Sequence, residues 1–243
     1  MGFDPDPEEI AGCRAARELV LGNVAAACRR AGRDPSDVTL VAVSKTVPAQ
    51  RLEAAVAAGL TLLGENRVQE AESKAPLVPE ASWHLIGPLQ SNKARRAVEL
   101  FDVIESVDSL ELARRLDRLA AETGRSPLGV FLQVNVDLDE AKSGFTPDAL
   151  ETALPELAAL TGLRLHGLMT VGRLVGTPEE ARSTFAGLRD LSSLLRSRFA
   201  ALGGGLSMGM TNDYEVAVEE GATVIRVGRA LFGARGGDQG GRP

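Results

Sequence analysis

The sequence predicts an α/β fold: a (β/α)8 TIM-type barrel, built as a single domain with an extra N-terminal helix. Three observations carry this. Short, continuous apolar runs alternate with helix-period segments along the chain, as right-handed βαβ units require. There are eight such runs, the number that closes a parallel barrel. The length, 243 residues, suits one such barrel of roughly 250 residues.

The leading helix begins at Asp6-Pro7-Glu8-Glu9. Asp is an N-cap, Pro suits the first helical position, and the acids complement the dipole. It runs to about Arg30, where Arg29 and Arg30 face the C-terminal dipole and Gly32 caps the last turn. Strands are expected at 38–43, 61–63, 82–86, 101–105, 128–135, 163–168, 205–207 and 223–227. Helices are expected between them at 48–59, 67–74, 92–100, 110–123, 147–159, 178–201 and 214–220. The second and seventh strands are short, so an open doubly wound sheet is the competing arrangement. The barrel domain is placed at 1–235; the glycine-rich tail, 236–243, is expected to be disordered.

Composition narrows the function. A hydrophobic content of 44% with only 4% aromatics requires an aliphatic core. The formal net charge of −6 argues against a nucleic-acid partner held by phosphate electrostatics. No stretch approaches the roughly 18 apolar residues of a membrane span. Cys13 and Cys28 lie far apart on one predicted helix and cannot bridge, which suits a reducing, cytoplasmic setting. Lysine occurs only at Lys45, Lys74, Lys93 and Lys142, while arginine supplies the other cations. Arginine keeps its proton; lysine can lose it and become a nucleophile.

The chemistry of such a barrel sits at the C-terminal ends of its strands. Ser44-Lys45 follows the first expected strand, Gly64-Glu65-Asn66 the second, and Glu105-Ser106-Val107-Asp108 the fourth. His84 and His166 lie on the third and sixth and are read as polar residues lining the barrel mouth; neither has a metal-ligand partner spacing. Lys45, directly after Leu40-Val41-Ala42-Val43, is an amine at an apolar mouth, where desolvation disfavours its charge. That suits Schiff-base formation with an aldehyde. The plainer reading is a lysine snorkelling from a strand end to water. Ser207-Met-Gly-Met-Thr211 and Arg226-Val-Gly-Arg229 flank the last two strands, a common phosphate site, and a helix starting near Asn212 would add its positive end.

Taken together, these segments resemble the pyridoxal phosphate homeostasis proteins. They are Val41-Ala-Val-Ser-Lys45, Gly64-Glu-Asn-Arg-Val-Gln-Glu70, Trp83 through Lys93, Ser106-Val-Asp-Ser109, Lys142-Ser-Gly-Phe145, His166-Gly-Leu-Met-Thr170, Ser207-Met-Gly-Met210 and Val224 through Gly233. They occur in order over nearly the whole chain. The resemblance implies the fold of the alanine racemase N-terminal barrel and pyridoxal 5′-phosphate as cofactor, bound as a Schiff base on Lys45. It implies cofactor phosphate at Ser207, Thr211, Gly228 and Arg229, and the pyridine nitrogen at Arg226, with Asn66 and His84 in the binding set. Arg67 departs from a frequently aromatic position. Arg229 replaces a common Thr or Ser, which removes a hydroxyl and keeps the backbone N–H.

The expected role is a carrier, with no catalytic residue assigned. An arginine at the pyridine nitrogen disfavours the protonated ring that strong carbanion chemistry uses. The resembling racemases take their second base, a tyrosine, from a second domain for which this length leaves no room. The only tyrosine, Tyr214, begins a helix beside the phosphate loop. Storage, buffering and delivery of the cofactor by a monomer, with apo-enzymes as acceptors, is therefore expected. The alternatives are a small racemase or decarboxylase, or a Schiff-base aldolase acting on a phosphorylated sugar.

Overall fold

The computed structural model describes residues 5–172 and 175–233. The tail expected to be disordered, 236–243, lies outside the described residues. Eight parallel strands close into one barrel in sequence order: β1 (Thr39–Val43), β2 (Leu62–Glu65), β3 (Ser82–Leu85), β4 (Val103–Val107), β5 (Leu128–Gln133), β6 (Leu163–Met169), β7 (Gly205–Met210) and β8 (Val224–Val227). β8 pairs with β1, so the barrel has no open edge and the doubly wound sheet is excluded. Outside it lie α1 (Pro7–Ala31), α2 (Ala49–Ala57), α3 (Val68–Lys74), α4 (Ala94–Leu100), α5 (Leu110–Thr123), α6 (Pro147–Leu157), α7 (Arg182–Arg198), α8 (Tyr214–Glu219) and α9 (Arg229–Phe232). The four-residue α9 is too short for a helical period to register in the sequence.

The caps read from the sequence are present. Asp6 Oδ1 accepts from the Glu8 N–H at 3.0 Å, and Gly32 takes the left-handed φ of 66° that lets its N–H reach the Arg29 and Cys28 carbonyls. Two apolar layers follow from strand alternation. Outward-facing strand residues such as Leu63, Leu85, Ile104 and Leu132 form one layer with helix residues such as Leu52, Leu116, Leu154 and Phe185, all fully buried. Residues facing in form a smaller cluster of Val41, Phe131, Met169 and Val224, with Leu62, Ile86 and Val103 against it. Nearly every strand contributes to that inner layer, so the barrel is filled, not hollow.

Three expected strand ends move. Gly64-Glu65, Ser106-Val107 and Met208–Met210 lie within β2, β4 and β7, beyond the expected ends at 63, 105 and 207. Reading a strand as an apolar run stops it at the first polar residue, whereas these strands bury polar side chains. β-Bulges add to the shift. In β4, Ile104 pairs with Val130 and Val107 with Leu132, so Glu105 and Ser106 together stand opposite the inward-facing Phe131. In β6 the extra residue is His166, between Leu165 paired to Val130 and Gly167 paired to Phe131.

The His166 ring accordingly does not line the mouth. It lies at the N-terminal end of the barrel, where a Cβ on Gly129 would come within 2.6 Å of its Nε2. Burial there pushes its pKa down, helped by Arg164 and His84. The same bulge demands a glycine next to it. Gly167 has φ +152°, and a Cβ there would stand 1.9 Å from the Gly205 carbonyl oxygen. Gly167→Ala should therefore cost about 3 kcal/mol from backbone strain and collision. A urea midpoint unchanged from wild type would show that the bulge yields freely.

Candidate functional site

The site is built at the C-terminal mouth of the barrel. Lys45 stands two residues past β1, half-buried, on the alternation that turns Val41 and Val43 inward. Asn66 is the first residue past β2 and shares the inward alternation of Leu62 and Gly64. Beneath them the barrel is tightly filled: a Cβ at Gly64 would lie 2.7 Å from Val41 Cγ1. Any molecule reaching Lys45 is thereby held at the mouth.

The floor of that mouth is charged. His84 Nδ1 lies 2.6 Å from Glu105 Oε1, and Ser207 Oγ donates to Glu105 Oε2 at 2.5 Å. Arg226 donates from Nη1 to Ser207 Oγ and from Nη2 to the Thr170 carbonyl at 2.7 Å; its Nη1 is 3.7 Å from Glu105 Oε2. Glu105 is fully buried and Arg226 almost so. Burial alone would raise the Glu105 carboxyl, but His84, Arg226 and Ser207 outweigh it and hold it below the ordinary range. Burial lowers the Arg226 pKa, opposed by Glu105 and Asp213. The carboxylate closest to Arg226 is thus occupied on both oxygens.

The rim by β7 and β8 gathers Thr211, Gly228 and Arg229. The Gly228 N–H reaches Thr211 Oγ1 at 3.3 Å, leaving the threonine proton to donate elsewhere, and Arg229 Nη2 donates to Asn212 Oδ1 at 3.1 Å. A Cβ at Gly228 would press on Val43 at 3.3 Å, so a larger residue would narrow the gap between this rim and β1. Ser207 does not join the rim: its single proton goes to Glu105, and it braces the floor. The helix expected near Asn212 begins at Tyr214, because Asp213 turns its buried carboxylate back onto the Met210 N–H at 2.6 Å. Tyr214 itself is buried against α1, its hydroxyl accepting from Asn23 Nδ2 at 2.9 Å, and does not face the mouth.

Sequence reasoning missed three groups. Glu105 was placed at the very end of its strand with no binding role, although a lone carboxylate in the run Val103-Ile-Glu-Ser-Val107 signals an inward polar position. Ser106, at the bulge, has a buried hydroxyl with no partner. Lys74, on α3, reaches the turn after β1 from outside the barrel: its Nζ donates to the Ser44 carbonyl at 2.9 Å and to Glu65 Oε1 at 2.7 Å. The remaining lysines stand farther out, Lys93 closing the turn Ser91–Lys93 and Lys142 Nζ donating to the Val171 carbonyl at 3.3 Å. Among the described residues, no cluster of His, Cys, Asp or Glu could hold a metal ion, and no helix is long and apolar enough to cross a membrane.

The donor set suits a molecule with three features. An anionic group fits the rim, an acceptor atom fits the Arg226 floor, and a carbonyl carbon fits the Lys45 amine. Comparison with known proteins points the same way. Residues 20–236 match the family model described as the N-terminal domain of alanine racemase. A pyridoxal phosphate homeostasis protein of Pseudomonas aeruginosa is 43% identical over 218 residues, covering 89% of this chain and 93% of that protein. Its counterpart in Escherichia coli K12 is 40% identical over 229 residues, covering 89% and 94%. PipY of Synechococcus elongatus, solved with pyridoxal phosphate bound, is 46% identical with a TM-score of 0.77, covering 88% of this chain and all of that one. Alanine racemase of Clostridium difficile, 15% identical with a TM-score of 0.67, shares the fold over 57% of its own length. With its closed barrel, its lysine past the first strand and this extent of identity, the chain belongs to the pyridoxal phosphate homeostasis protein family.

Proposed function

We propose that the protein binds pyridoxal 5′-phosphate as a Schiff base on Lys45 and stores, buffers and delivers it, without catalysing a reaction of its own. The carrying observation is the placement of three kinds of group at the C-terminal ends of neighbouring strands: Lys45 after β1, Arg226 on β8, and the Thr211, Gly228 and Arg229 rim after β7 and β8. Thr211, Arg229 and the backbone at Gly228 would hold the phosphate. Arg226 would face the ring nitrogen, and Asn66 and His84 would lie beside the ring. The cofactor, when bound, supplies an electrophilic aldehyde. Lys45 would supply the amine that holds that aldehyde covalently, with one water released. Hydrolysis reverses the step without oxidant or reductant, as reversible storage requires.

Two features support a carrier over an enzyme. Arg226, fixed in its charged form by Glu105, stands where a free carboxylate would keep a ring nitrogen protonated. Tyr214 is tied to α1 and is no second base. The reading extends to a monomer in a reducing compartment, in keeping with the buried free thiols of Cys13 and Cys28. The test is to load the protein and measure transfer to several apo-enzymes, with free cofactor as the control. Faster or more complete reactivation by the loaded protein is expected. Interconversion of amino-acid enantiomers at enzyme-like rates would replace this reading with that of a small racemase.

A further inference from the structure

The turn that carries Lys45 is gripped from outside the barrel. Its two flanking residues each bond to a carboxylate: Ser44 Oγ donates to Glu65 Oε1 at 2.8 Å, and the Thr46 N–H donates to Glu70 Oε2 at 3.1 Å. Lys74 joins the two acids. Its Nζ lies 2.7 Å from Glu65 Oε1, 2.9 Å from the Ser44 carbonyl and 3.5 Å from Glu70 Oε2. Glu70 and Lys74 stand one turn apart on α3, and Glu65 ends β2 facing that helix. One helix face therefore reaches both sides of a single lysine.

The backbone of that turn needs holding. Thr46 has φ +66°, a left-handed conformation that a β-branched residue rarely adopts. The Glu70 carboxylate meets Thr46 at its own N–H, where it supports that conformation. Stability does not account for the cluster. A buried ion pair is roughly neutral against apolar residues of similar volume. Here Glu65 Oε2 is buried without a partner, and burial pushes the Glu65 carboxyl up despite Lys74 and Ser44. What the cluster does achieve is geometric: it fixes the Ser44 carbonyl, the Ser44 hydroxyl and the Thr46 N–H in one frame.

We infer that Lys74, with Glu65 and Glu70, is a positioning device that sets the direction of the Lys45 amine without touching the bound molecule. The inference rests on the proposed attachment at Lys45. It is tested on the loaded full-length protein by the rate of cofactor release into a trap, read beside the melting temperature of the unloaded protein. Lys74→Met should release about tenfold faster, the effect expected from losing a charge-assisted hydrogen bond. Lys74→Arg, which can still donate to Glu65 and Ser44, should restore most of the difference. Glu70→Ala leaves the Glu65–Lys74 pair intact, removes the Thr46 N–H bond and the longer, partly exposed contact with Lys74, and should speed release a few-fold at a nearly unchanged melting temperature.

Wild-type release rates in both Lys74→Met and Glu70→Ala would overturn the inference. If Lys74→Met does not fold, Glu70→Ala decides alone. The two readings fail differently. A wild-type protein that forms no borohydride-fixed adduct on Lys45 overturns the attachment itself. An adduct in the wild type with unaltered release in the variants overturns only the role of Lys74.

Discussion

Lys45→Ala should abolish the visible band of the loaded protein and the mass added after borohydride reduction, while leaving the barrel folded. Lys45 is half-buried in a turn past β1 and lies outside both apolar cores, so its truncation removes little packing. The change in stability should stay within about 1 kcal/mol. Binding should weaken without vanishing, since the Thr211, Gly228 and Arg229 rim and the Arg226 floor are untouched. The variant thus separates covalent from non-covalent retention. Peptide mapping of the reduced wild type provides the direct check. A band that survives unchanged in the variant would move the attachment to Lys93 or Lys142.

Glu105→Leu should be the most destabilising single change at the site, by about 3–5 kcal/mol, because it strands the charge of Arg226 inside the barrel. Arg226 is 4% exposed, and without Glu105 its hydrogen-bond partners are the neutral Ser207 hydroxyl and Thr170 carbonyl, with Asp213 acting on it only through space. At about 2–4 °C per kcal/mol for a chain of this size, the melting temperature should fall by about 10 °C. Glu105→Gln should lose less, and its deficit should depend on pH with a definite sign. The Glu105 carboxyl titrates below its ordinary value in the folded protein. Its contribution is therefore complete above the unfolded value of about 4.3 and is lost as the pH falls through the lower, folded value. The gap between wild type and Glu105→Gln should be widest near neutrality and close in acid. Glu65 has the opposite sign, being raised, so the difference between variants is more informative than either curve alone. An equal gap at pH 7 and pH 3 would show that Glu105 acts through packing and not through charge.

Much of this was legible in the chain. The leading helix was bounded within a residue at each end, because its caps are local: Asp6 bonds two residues on, and Gly32 folds back over one turn. The helix 110–123 was placed without error for the same reason, with Ser109 capping the Leu112 N–H and Gly124 in the left-handed region. The position of Lys45 past the first strand followed from a short apolar run that nothing interrupts. Strand ends were harder. β2, β4 and β7 continue through Glu65, Val107 and Met210, and local polarity gives no sign that Glu65 will be paired by a helix outside the barrel or Glu105 within it.

The alternation of strands and helices along the chain, the place of Lys45 just past the first strand and the family resemblance are properties of consecutive residues, and the sequence by itself determined them. The tertiary structure alone decided which distant polar groups meet. Glu105 on β4 finds His84 on β3, Ser207 on β7 and, through that serine, Arg226 on β8, and Lys74 on a helix finds the turn after β1. Those meetings depend on register across the closed barrel. A single bulge, as at Glu105-Ser106 or His166, turns a side chain to the other face without leaving a mark on sequence periodicity.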